Sequence, residues 1–204
     1  MLSIRSIKDH TISEIIIDKS RFITDVFPVE SISEATRKLE LIKELHPKAN
    51  HHCYAYIIGY SSEQQKFSDD GEPGGTAGMP ILNVLKHEKI TNIIVIVTRY
   101  FGGVKLGTGG LIRAYTTATK NGLECGEITQ KLYYDLYQIT VSYSLADSVK
   151  YLLQNKASIA EITYQQQVTI NFYIIPENKP EIEKELINLL NENIQLEYIK
   201  SNYI

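Results

Sequence analysis

Nine of the chain's twelve glycines lie between residues 71 and 110, in two stretches that each run into a helical pattern. The first reads DDGEPGGTAG (69–78) and the second RYFGGVKLGTGG (99–110). Glycine lets the backbone turn through positive φ and lets another segment approach closely, so both stretches mark sharp strand-to-helix or loop-to-helix turns. The second follows Ile93–Val97, a continuous apolar run bounded by Thr91-Asn92 and Arg99 that suits a strand buried on both faces. From Thr108 the pattern turns helical, with Leu111, Ala114, Tyr115 and Ala118 on an inner face. After the first loop, Ile81, Leu82, Val84 and Leu85 keep helical spacing, with Thr76 or Gly78 as the expected cap and Pro80 in the first turn.

The remaining elements frame these loops. Thr11–Asp18 and Arg21–Val29 read as two strands joined by a short polar turn. Ser31 and Glu34 form a capping-box pattern ahead of a helix that Pro47 stops. His51–Gly59 reads as a strand, with His51, Cys53, Ala55 and Ile57 on one face and His52, Tyr54, Tyr56 and Ile58 on the other. Near Gly126–Gln130 the pattern becomes polar and tyrosine becomes frequent, which marks a boundary between residues 1–127 and 128–204. Beyond it come a strand (Tyr133–Tyr143), a helix capped by Ser144, strands Ser158–Gln165 and Val168–Ile175, a helix Glu181–Asn191 and a strand Ile194–Ile199. That order, βαββαβ, is the ferredoxin-like split motif, so the fold class is α+β in both halves.

Composition narrows the function. The net charge of −3 argues against a chain coated in positive charge, yet no acid lies between Glu88 and Glu124, while Lys89, Arg99, Lys105, Arg113 and Lys120 do. Asp69, Asp70 and Glu72 give the earlier glycine loop the opposite sign. Two distant cysteines, Cys53 and Cys125, suggest no disulfide framework and suit a reducing, cytoplasmic compartment. The opening residues carry Arg5, Lys8 and Asp9 and lack the apolar core of a signal peptide, and no apolar run reaches membrane-spanning length, so no membrane association is expected.

A strand, a glycine-rich turn and a helix N-terminus aim backbone N–H groups and the positive end of a helix dipole at one spot, which favours phosphate or another anion. The loop completes neither nucleotide motif: Ile112 stands where a dinucleotide fingerprint needs its third glycine, and Lys105 precedes the last glycines without a following Lys-Ser/Thr pair. Arg99, Lys105, Thr108, Gly109, Gly110, Arg113 and Lys120 are therefore the candidate phosphate or nucleic-acid contacts, with Tyr100, Phe101 and Tyr115 available to stack bases. The plainer reading is a solvated helix face over core aromatics, with glycines that only allow tight packing. Asp69, Asp70 and Glu72 are the acids that would hold Mg²⁺ beside a bound phosphate; an Asp-Gly turn whose acids cap the next helix is the plainer and favoured account of them. Neighbouring strand residues point to opposite faces, so His51, His52 and Cys53 do not make a metal site, and no nucleophile-and-base arrangement can be picked out.

DDGEPGGTAGMPIL (69–82), RYFGGVKLGTGGLIRAY (99–115) and Ala49-Asn50-His51 ahead of a tyrosine-rich strand closely resemble the IMPACT/YigZ family, over nearly the whole chain. The resemblance implies a first domain of the ribosomal-protein and GHMP-kinase type and a second like the C-terminal domains of elongation factor G. Its eukaryotic members regulate translation through an added N-terminal domain, which this chain, beginning directly with the core domain, is not expected to share. Two functions follow as expectations. One is a cytoplasmic regulator in translation or stress response that binds RNA, the ribosome or a translation factor through the 99–120 face. The other is a Mg²⁺-dependent enzyme or sensor for a small phosphorylated ligand at the two glycine loops.

Overall fold

A computed structural model of the chain describes residues 3–190 and 196–203. By its internal contacts the chain divides into residues 4–130 and residues 131–204 with 1–3. The first unit holds β1 (Ser3–Ile7) from its second residue, β2 (Thr11–Ile17), β3 (Ser20–Pro28), α1 (Ile32–Leu45), β4 (His51–Ile58), β5 (Gln64–Ser68), α2 (Gly78–Glu88), β6 (Ile93–Tyr100) and α3 (Gly107–Glu124). A long strand, β7 (Ile128–Val141), runs from it into the second unit.

Five strands of the first unit form an antiparallel sheet in the order β2-β3-β6-β4-β5. Alternation along the strands builds a core on each face. Phe22, Val26, Cys53, Ala55, Ile57, Ile93, Val95 and Val97 pack against α2 and α3. Phe27, Tyr56, Ile58, Ile94 and Ile96 pack against Ala35, Leu39 and Ile42 of α1. The apolar run in β6 is thus the middle strand of a three-layer α/β/α unit, which is why it shows no polar alternation. Ser31 caps α1 as its sequence pattern requires, accepting from the Glu34 N–H at 3.2 Å.

In the second unit β10 (Glu197–Tyr203), β7, β9 (Val168–Ile174) and β8 (Ser158–Tyr164) pair antiparallel in that order, in a five-stranded sheet whose remaining strand, β1, neighbours β7. Helices α4 (Tyr143–Gln154) and α5 (Lys179–Leu190) supply Ala146, Val149, Leu153, Ile182 and Leu186 to a core with Tyr137, Ile139, Val168, Ile170 and Phe172. Strand order 4-1-3-2 with βαββαβ connectivity is the ferredoxin-like arrangement. Ser142, rather than Ser144, stands at the N-cap of α4. The expected end of the last helix at Asn191 and start of the last strand at Ile194 lie outside the described residues. Among the described residues no helix is long and apolar enough to cross a membrane.

Two strands have little sequence signal. Strand β5, QQKFS, is polar because it is an edge that pairs only with β4, and β1 is a short strand whose Arg5 bridges to Ile90. The glycines of the second loop serve different ends. A Cβ on Gly102 would lie 2.0 Å from the carbonyl carbon of Lys19, so the loop can cross the β2–β3 turn only as glycine. Gly109 would place its Cβ no closer than 3.5 Å to the Arg113 guanidinium. Urea unfolding is therefore expected to show Gly102→Ala losing about 1–3 kcal/mol through overpacking. Gly109→Ala, inside α3, should hold its stability or gain up to about 1 kcal/mol from helix propensity.

Candidate functional site

The two glycine loops meet at a buried ion pair. Along β6 the side chains of Ile93, Val95 and Val97 enter the core beneath α2 and α3, and Arg99 follows in the same alternation. Its guanidinium donates to Glu72 Oε1 at 2.6 Å and to Ser20 Oγ at 3.3 Å, between the rings of Phe22 and Phe101. Arg99 is 5% exposed and Glu72 8%. The Tyr115 hydroxyl of α3 donates to the same Glu72 oxygen at 2.8 Å, and Cys53 Sγ lies 3.3 Å from that hydroxyl and 3.0 Å from the Asp69 carbonyl. Burial pushes the Cys53 thiol and the Tyr115 phenol far above their ordinary values, so both stay protonated and act as donors.

This arrangement corrects two expectations. Arg99 is spent inside the protein and is not a surface contact for phosphate. Tyr115, fully buried, offers no face for base stacking.

The acidic loop is likewise committed to its own structure. Asp69 Oδ1 accepts from the N–H groups of Ala77 (3.0 Å) and Gly78 (2.8 Å), and Oδ2 from that of Gly75 (2.8 Å). A carboxylate from before the helix thus caps α2, where neither Thr76 nor Gly78 supplies a side-chain cap. Asp70, at φ +44° in the Asp-Gly turn, accepts from His52 N at 2.6 Å. The Asp70 carbonyl accepts from His51 Nδ1 at 2.8 Å, which fixes the proton on that nitrogen and turns Nε2 toward Glu72 Oε1, 3.9 Å away. Burial holds His52 below the usual imidazole range, against the opposing charge of Asp70. All three acids considered for Mg²⁺ therefore accept hydrogen bonds from protein donors. Among the described residues no three His, Cys, Asp or Glu side chains converge as a metal-ligand set.

Lys105, Thr108, Gly109, Arg113 and Lys120 are exposed, and Gly110 is half-buried. The Arg113 guanidinium lies over Gly109, and Lys120 follows two turns later on the same side of α3. No side chain caps the α3 N-terminus, where Leu106 is the N-cap residue. None of Lys105, Arg113 and Lys120 makes an ion pair with a described residue. Sequence reasoning assigns Ser20 no role at the site, and Asn50 enters there only as part of a family motif. Ser20 Oγ accepts from both Arg99 and the Gly102 N–H, and Asn50 clamps the end of β6 by donating its N–H to the Arg99 carbonyl and accepting from Phe101 N at 2.8 Å. Their signal is local: Ser20 is the first residue of β3 and Asn50 immediately precedes β4, each a small polar residue at the start of a strand that meets the second loop.

Removing one partner of the buried pair leaves the other charge without compensation. Glu72→Ala is expected to cost about 3–5 kcal/mol in denaturant unfolding, while Arg99→Met combined with Glu72→Leu should recover most of that loss.

Residues 18–123 match the family model described as the Impact N-terminal domain, and residues 139–193 match a domain of unknown function. IMPACT family member YvyE of Bacillus subtilis is 38% identical over 170 residues, 83% of this chain and 78% of that protein. IMPACT family member YigZ of Escherichia coli is 33% identical over 183 residues, 88% and 90% of the two chains. A crystal structure of a hypothetical protein aligns over 98% of both chains at 32% identity and a TM-score of 0.68. With its larger unit matching the family model and both halves spanned by these relatives, the chain belongs to the IMPACT family.

Proposed function

We propose that the chain regulates translation by binding RNA, free or on the ribosome, through the outer face of α3. The role in translation is inferred from membership of the IMPACT family. The observation that carries the binding reading is the state of the cations. Of the five basic residues in the acid-free segment between Glu88 and Glu124, Arg99 is neutralised internally, whereas Lys105, Arg113 and Lys120 are exposed and unpaired, Lys105 and Arg113 near the uncapped start of α3 and Lys120 two turns further along it. Unpaired cations beside open backbone N–H groups attract phosphate, and their spacing along the helix suits a backbone that presents one phosphate after another. Phe101, 46% exposed beside this loop, is the ring available to a base.

The Mg²⁺-dependent enzyme reading draws no support from the acidic loop, whose carboxylates hold α2, β4 and Arg99 in place.

Three phosphate contacts at ~0.7–0.9 each give a log–log salt dependence of RNA affinity of roughly −2 to −3. The variant with Lys105, Arg113 and Lys120 all changed to alanine should bind more weakly and with a nearly flat slope while keeping its melting temperature. Equal binding by this variant, or no binding by the parent protein at low salt, would falsify the reading.

A further inference from the structure

The sheet of the first unit has two edges of different character. Strand β5 is short, polar and carries Lys66, which discourages pairing with another chain. Strand β2 has seven residues, TISEIII, with no proline, no lysine and no bulge in its register with β3. Its side chains alternate so that Ile12 is 58% exposed and Ile16 70% exposed, while Ile15 and Ile17 are only partly covered by the core beneath α3.

The turn that follows sets which backbone groups are open. Asp18 and Lys19 both have positive φ, 44° and 63°, the conformation of a two-residue type I′ hairpin. In that turn the flanking residues, Ile17 and Ser20, form a hydrogen-bonded pair, so alternate residues back to Thr11 bond to β3. Ile12, Glu14 and Ile16 then direct their N–H and C=O groups outward, on the same residues whose side chains are exposed.

We infer that β2 is the interface of a two-fold homodimer, in which it pairs antiparallel with β2 of a second copy about Glu14. The register is self-complementary. Each outward residue meets an outward residue, with Ile12 opposite Ile16 of the second copy on one face and Ser13 opposite Ile15 on the other. Glu14 would face its own copy, and each carboxylate already accepts from its own Arg21 at 2.7 Å, so the centre holds two neutralised pairs. These features favour a second copy over the strand of an unrelated protein, since one sequence satisfies both sides. The two-fold axis stands perpendicular to the joined sheet, which sets both α3 helices on one side of it.

Sedimentation velocity of the full chain across a concentration series tests the inference. The expected result is a reversible species of twice the 23.2 kDa chain mass. Glu14→Pro removes an outward N–H while leaving the bonds to β3 intact, so it should give a monomer with unchanged circular dichroism. Ile16→Lys, at a position already exposed to solvent, should weaken the dimer about 100-fold and serves if the proline variant unfolds. A monomer at every concentration, which would leave the edge to solvent or to a strand of another protein, overturns the inference. So does a dimer that survives either variant in folded form.

Discussion

The contact on which the first unit depends is the buried pair of Arg99 and Glu72. Taking both charges out of water is costly, and the attraction between them offsets that cost only where the remaining donors and acceptors are placed well. Here the guanidinium has Ser20 and two aromatic faces and leaves only its buried Nε without a hydrogen-bond partner, and the carboxylate has the Tyr115 hydroxyl. The pair ties the end of the central strand to the acidic glycine loop, and Tyr115 ties both to α3. Three segments distant in sequence acquire one geometry from a single cluster.

That cluster divides the charges of the two loops into an inner and an outer set. The inner set is structural: Asp69 caps α2, Asp70 holds β4, and Glu72 neutralises Arg99. The outer set, Lys105, Arg113 and Lys120, has no internal partner and runs from the start of α3 along its exposed side. Tyr115 anchors α3 to the inner cluster, so the helix is positioned by the fold before any ligand arrives. The inner cluster thus supports the outer face without contributing to it.

The fold was legible where burial and periodicity agree. The all-apolar β6, the capping box of α1 and the βαββαβ order of the second half each correspond to an element whose pattern is set by one dominant core. What stayed hidden were edges and charges. Strand β5 has a polar sequence because its stability comes from pairing with β4, and pairing leaves no mark in composition. Arg99 looks like one more cation in an acid-free stretch, although its place in the alternation after Ile93, Val95 and Val97 already puts it beneath α3. Its partner sits 27 residues earlier, in a loop whose sign alone could not say whether its acids face a metal, a helix end or an arginine.

The central claim is that the inner cluster is structural and the outer face binds. It is tested most directly by following the backbone amide resonances of the full chain as a short single-stranded RNA is added. The account predicts that Thr108, Gly109, Gly110 and Arg113 move first and return as salt is raised, with Glu72 and Arg99 unmoved. Shifts confined to residues 131–204, or no shifts at low salt, would contradict it.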